Sequence, residues 1–407
     1  MTVKRVIYKL VRYINALKFR IFENKINNKT WENHDQILKW ADTYVKRPDE
    51  ELQKQIQNSG DLIVQKGCEL RQKVFDDFKD KHSDEKIKIM IHLPSKESSP
   101  GGYSLFGNMA ESFKFIGIET ELLFEGEDIK IKLEKFQPTV LLSSDHKIFT
   151  SKIDWNAINE YKKSHNLQVG LTASIEEYGN TPLKQRLNWA KSVGIDFYYS
   201  FRAPEYFNTR AEYNPFFEYG YKIYSVEFGA NPLQYFPLPI INKDLDYVFL
   251  ASSNRDKQKR YFKWLSKLVY KHNGFIDGPG WHKIDRWASQ PTHKFLYARA
   301  KIGINLHIDD SMDWASELNE RTYILAACGV PQLVDNAKLL EDRFSSDAMF
   351  IASTPKEYGE LFEYMLNNPD ECQKRALIAL EEVYSKHTTF HRAVGFIQQL
   401  KIKMENK

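Results

Sequence analysis

Cysteine is scarce in this chain of 407 residues, with only Cys68, Cys328 and Cys372. They lie far apart and form no CxxC or Cys/His spacing, which argues against a structural zinc and a disulfide framework and suits a reducing cytoplasm. Long apolar runs are missing as well. None approaches the roughly 18 to 20 residues of a spanning helix, and no charged-then-apolar leader with a small-residue cleavage site opens the sequence. An integral or conventionally secreted protein is therefore not expected. No repeat, low-complexity tract or Gly/Ser linker interrupts the pattern. Neither sign of charge dominates: a net charge of +4 is too mild to imply a nucleic-acid partner.

What is present suits a globular protein. Hydrophobic residues make up 42% and aromatics 14%, ample for burial, and the length exceeds one ordinary core. Residues 1–82 read as a charged, helical N-terminal extension. The first buried-strand pattern is Lys86 to Leu93, KIKIMIHL. A turn-rich loop over Ser98 to Ser104 follows, then a helix ending near Gly117 and the strand ETELLF. Strand, glycine loop, helix, strand is the opening of a Rossmann-like domain, and the alternation implies a mostly parallel sheet covered on both faces. After a Pro-rich connection near residues 229–243 the alternation restarts. The expected division is 1–82, 83–235, 236–386, and a last helix over 387–407 that crosses back.

The first residues carry a stripe. Val3, Ile7, Leu10, Ile14, Leu17 and Ile21 recur at three- and four-residue steps, and Lys4, Arg5, Lys9, Arg12, Lys18 and Arg20 fill much of the remainder. Such a basic amphipathic helix over residues 3–21 suits an anionic membrane surface. The alternative is a helix docked on its own protein with a solvated basic back.

Five segments in order, VEFGANPLQYFP, DYVFLASSNRDK, INLHI, LNERTYILAACGVP and HTTFHRAV, run from Val226 to Val394. They resemble bacterial glycosyltransferases of the spore-maturation, CgeB-like group (glycosyl transferase family 1). The resemblance implies an α/β fold of the GT-B type, two Rossmann-like domains facing across a cleft, here with the helical N-terminal extension. It implies an acceptor domain followed by a nucleotide-sugar donor domain.

In the resemblance, Asn319 and Arg321 of Leu318-Asn319-Glu320-Arg321 face the donor phosphates; a permanent, forked cation suits a leaving group with developing negative charge. The acidic residue that commonly follows and holds the ribose is replaced by Ile324, so Glu317 or Glu320 substitutes, or the nucleotide differs from the usual ones. Ser253 and Arg255, in the loop after the first strand of the second half, offer a hydroxyl and a guanidinium to phosphate oxygens. His307 lies at another strand end of that half, suited to the sugar or to capping the strand. On the acceptor side the Gly101-Gly102 turn, with Tyr103, lets backbone approach a ligand. Asp145-His146 and Glu176-Glu177 follow predicted strands, where open α/β sheets place ligands. Asp145, His146 and Glu177 are the candidates for base or nucleophile. Asn231 stands where an Asp is usual and reads best as a helix N-cap. No DxD has the surroundings of a metal site, and Asp309-Asp310 reads as a solvated turn, so neither metal nor cofactor is expected beyond the donor itself.

The function expected is a cytoplasmic glycosyltransferase, peripheral on the inner face of the membrane. It moves a sugar from a nucleotide-sugar donor to a saccharide or lipid-linked saccharide acceptor in cell-surface polysaccharide synthesis. The rival readings are a nucleotide-sugar epimerase of the same fold and a catalytically inactive GT-B-like binding or scaffold protein.

Overall fold

The computed structural model describes residues 3–26, 28–175, 181–239 and 242–405, with the side chains of 3–6, 8, 28–29, 255–256 and 403–405 outside the description. The chain divides into two compact units. One comprises Lys73–Asn231, Ala315–Glu317 and His387–Lys407; the other comprises Met1–Gln72, Pro232–Trp314 and Leu318–Lys386.

The first unit is built on a six-stranded parallel sheet of β1 (Lys88–Leu93), β2 (Glu119–Phe124), β3 (Val140–Ser143), β4 (Gln168–Thr172), β5 (Phe197–Ser200) and β6 (Ile223–Ser225). Their order is β2-β1-β3-β4-β5-β6. Central strands such as VLLS are buried throughout because helices cover both faces, which is why they read as continuous apolar runs rather than alternating ones. Met90, Leu141, Val169, Leu171 and Tyr198 lie in the core on one side. The last helix, Thr389–Glu405, packs on the helix Pro100–Phe115. Phe390 stacks on Phe115 at 4.2 Å between ring centroids, and Ser112 Oγ donates to Thr389 Oγ1 at 2.7 Å. A turn rather than a helix follows Asn231, and its amide nitrogen donates to Asn108 Oδ1 at 3.2 Å and Glu111 Oε2 at 2.8 Å.

The second unit holds a five-stranded parallel sheet of β7 (Leu245–Leu250), β8 (Gly274–Asp277), β9 (Ala300–Asn305), β10 (Gln332–Asp335) and β11 (Phe350–Ala352), ordered β11-β10-β9-β7-β8. Close helix-to-sheet packing explains the small residues of the AACG stretch. A Cβ on Gly303 of β9 would lie 2.6 Å from Leu325 of the helix Glu320–Ala327. The helices Val3–Lys25, Asn28–Glu32, His34–Val45 and Asp49–Gln57 belong to this unit. His34 of the helix His34–Val45 bonds Asp277 at 2.8 Å and stacks on Phe275 at 5.0 Å, so the extension covers the edge strand β8.

Candidate functional site

In each sheet the order in which successive strands are added reverses once, and ligands of open α/β sheets bind at the carboxyl ends of the strands flanking that point. In the second unit the point lies between β7 and β9. Arg321, in the first turn of the helix Glu320–Ala327, sits on it: Nε donates to Leu250 O at the end of β7 at 2.8 Å, and Nη1 donates to Asn305 Oδ1 at the end of β9 at 3.3 Å. No hydrogen-bond acceptor engages Nη2 among the described residues. Asn319 is the N-cap of the same helix. Its Oδ1 accepts from Thr322 N at 3.1 Å while Nδ2 donates to Asn305 Oδ1 at 2.9 Å and Leu306 O at 3.1 Å. Glu320 is half-buried in the same first turn, and Ile324 is buried.

Ser253 follows β7 and is buried, yet its Oγ has no hydrogen-bond partner among the described residues. Such an orphan hydroxyl is uncommon and points to a ligand or water. Gly280 shapes the loop from behind: with φ +88°, it brings backbone so close that a Cβ would lie 2.0 Å from Ser253 O. Arg255 opens the helix Arg255–Val269, whose N-cap Asn254 accepts from Lys257 N at 3.0 Å. The Arg255 side chain lies outside the described part. Two helix N-termini, one orphan hydroxyl and a guanidinium with an open nitrogen thus gather at the ends of β7 and β9, an arrangement that favours an anion.

His307 is different. It is wholly enclosed, its Nδ1 2.6 Å from Asp335 Oδ1 and its Nε2 3.1 Å from Thr322 Oγ1. Arg260 meets Asp335 Oδ2 at 2.6 Å and Asp309 Oδ1 at 2.8 Å. Burial acts to raise the Asp335 carboxyl, but His307 and Arg260 outweigh it and hold the group below the ordinary carboxylate range. These contacts brace the ends of β9 and β10, and they give His307 a positioning part rather than an open face.

In the first unit the strand order reverses between β1 and β3, and a cavity of about 610 Å³ opens there. Ser99, Gly102, Ser144, His146, Arg202 and Glu317 are among its lining residues. The glycine pair, read as a loop, lies in the first turn of Pro100–Phe115 because Pro100 opens the helix. Gly101 and Tyr103 are not among the lining residues. Asp145 is buried and paired with Arg186, and it accepts from Thr172 Oγ1 at 3.1 Å. Burial raises its carboxyl to about 7 against the pull of Arg186. His146 Nδ1 accepts from Ile148 N at 3.1 Å, which places the proton of the neutral ring on Nε2. Glu317 stands 3.8 Å from Arg202, both half-buried. Glu176 and Glu177 lie outside the described residues. Arg202, Arg186, Ser144 and Thr172 were not singled out from sequence; that Ser144 and Thr172 sit at the ends of apolar runs was the available signal. No group of three His, Cys, Asp or Glu stands in metal-holding geometry among the described residues.

Residues 255–398 match the profile of a family described as "Glycosyl transferase-like". No curated protein gives a significant sequence match. Among solved structures, T4 phage BGT in complex with UDP-glucose is similar over 77% of this chain and 99% of its own, at 10% identity and a TM-score of 0.51. T4 phage β-glucosyltransferase in a second structure is similar over 77% and 98%, at 10% identity and a TM-score of 0.50. The α/β GT-B fold with two Rossmann-like domains is borne out, and at the level of class so is the expectation of a glycosyltransferase.

Proposed function

We propose that this protein transfers a sugar from a nucleotide-sugar donor to a saccharide or lipid-linked saccharide acceptor, in cell-surface polysaccharide synthesis at the inner face of the membrane. The observation that carries the donor assignment is Arg321, anchored across the ends of β7 and β9 with Nη2 open. In this reading its guanidinium, the unpartnered Ser253 hydroxyl and the N-termini of Arg255–Val269 and Glu320–Ala327 receive the diphosphate. Fixed positive charge then stabilises the departing nucleoside diphosphate, so no divalent cation is required. With Ile324 in the position usual for the ribose carboxylate, Glu320 takes that contact, since it shares the first helical turn with Arg321.

The cavity at the ends of β1 and β3 takes the acceptor. An acceptor hydroxyl needs a group to receive its proton. Asp145 is buried against Arg186 and Thr172 and does not line the cavity, and His146 presents an N–H rather than a lone pair; Glu317, which lines the cavity 3.8 Å from Arg202, is assigned as the base. The resemblance to the spore-maturation group supports a bacterial envelope acceptor.

The test is a panel of nucleotide sugars, beginning with UDP-glucose, offered to the purified protein with and without EDTA. A raised melting temperature and slow donor hydrolysis with one nucleotide, insensitive to EDTA, are expected. Silence across the panel overturns the reading, and isomerisation of the donor without acceptor turns it into an epimerase.

A further inference from the structure

The first helix, Val3–Lys25, has two apolar sides, and only one is used. Phe19, Phe22 and Ile26 are buried. Phe19 packs on Trp281 at 5.5 Å, and Phe22 meets Phe262 at 5.7 Å and Tyr270 at 5.9 Å. Glu23 is buried beside His282. The 3.6-residue turn places Ile7, Leu10, Ile14, Leu17 and Ile21 on roughly the opposite side. That stripe faces solvent: Ile7 is 55%, Leu10 58%, Ile14 42%, Leu17 50% and Ile21 47% exposed. About four turns of aliphatic side chain left in water is costly for a monomer and marks an interaction surface.

We propose that this outward stripe is a docking surface for an anionic lipid bilayer. Charge decides the occupant. Lys9, Arg12, Lys18, Arg20 and Lys25 of the helix are all exposed, and its single acid, Glu23, is the buried one. The exposed face therefore carries positive charge alone, which attracts phosphate headgroups while the stripe enters the acyl boundary. A second copy of the helix would bring like charges together. No helix among the described residues is long and apolar enough to cross a membrane, so the helix lies along the surface rather than through it. Anchoring through Phe19, Phe22 and Ile26 fixes the docked helix to its own unit. The surface is independent of the transferase reading, because vesicle binding is measured without substrate.

The full-length protein is sedimented with vesicles of phosphatidylcholine alone and with vesicles containing one-quarter phosphatidylglycerol, at low and high salt. Pelleting with the anionic vesicles, weakened by salt, is expected. The triple change Leu10→Gln, Ile14→Gln, Leu17→Gln lowers partitioning at least about tenfold, by removing the inserted apolar surface. The change Lys9→Gln, Lys18→Gln, Arg20→Gln lowers it on anionic vesicles and weakens the salt dependence, Arg12 and Lys25 remaining. All six side chains face solvent, so unchanged melting temperatures verify folding; should the apolar triple unfold, the basic triple and the salt series decide. Wild-type protein left in the supernatant, or binding by both triple variants as strong as that of the wild type, overturns the proposal. So does light scattering that finds a wild-type dimer and a monomeric apolar variant, which assigns the stripe to a second copy.

Discussion

Arg321 and Leu250 are joined by a hydrogen bond of 2.8 Å from the guanidinium Nε to the last carbonyl of β7. The bond uses one edge of the fork and leaves Nη2 open, so the charge is held in place without being neutralised by a carboxylate. A hydrogen bond to a charged group contributes about 1.5 to 3 kcal/mol. Arg321→Ala should therefore weaken nucleotide binding by that amount, about ten- to 150-fold in Kd by calorimetry. Arg321→Lys should recover only part of the loss, because an ammonium cannot anchor to Leu250 and present a second donor in the same plane. Unchanged affinity in both variants would remove Arg321 from the donor site.

Ser253 gives a sharper test, since stability and binding should move apart. A buried hydroxyl without a partner costs the resting protein, so Ser253→Ala should leave the melting temperature equal or higher. Nucleotide affinity should fall by about 0.5 to 1.5 kcal/mol, the net worth of an ordinary hydrogen bond. A variant that loses stability while binding normally would make the hydroxyl structural.

Asp335 should behave in the reverse way. Its carboxylate satisfies both the enclosed His307 and Arg260, and removing one partner of a buried ionic group costs about 3 to 5 kcal/mol. Asp335→Ala should shift the urea midpoint accordingly, with Asp335→Asn losing less. A shift below about 1 kcal/mol, the worth of an exposed pair, would contradict the bracing role.

Acid sensitivity should trace in part to His92. It is buried at the end of β1, with Nδ1 3.0 Å from Ser143 Oγ, and burial lowers its ring from 6.5 to about 4. The unfolded chain then binds the proton more tightly than the folded one. Its contribution is present above pH 6.5 and is lost as pH falls towards 4, about 3 kcal/mol in all. His92→Gln should flatten the dependence of the urea midpoint over that window. An unchanged slope would show that other groups carry it.

Much of the fold was legible because its signals are local. Buried parallel strands announce themselves as short apolar runs such as VLLS and LDYVFL. The candidate loops were placed for the same reason: a site at strand ends is predicted once the strands are placed. What failed was pairing over distance. Nothing near Asp145 in sequence announces Arg186, 41 positions on, nor near His307 announces Asp335, 28 positions on. Nor does anything near Asn231 announce that its amide donates to Asn108 and Glu111, more than a hundred positions earlier.

The sequence by itself determined the alternation of strand and helix, the restart of that pattern near residues 229–243, and the presence of a basic amphipathic first helix, since each is a periodicity of neighbouring residues. Only the tertiary structure decided which polar groups are spent on one another, as with Asp145 and His307, and which remain open, as with Ser253 and Arg321. It also decided that the first helix packs through Phe19, Phe22 and Ile26 and turns its aliphatic stripe outward. The physical reason is common to all three. A periodic pattern fixes which residues share a face, but burial and hydrogen bonding depend on what that face meets, and the partners come from distant parts of the chain.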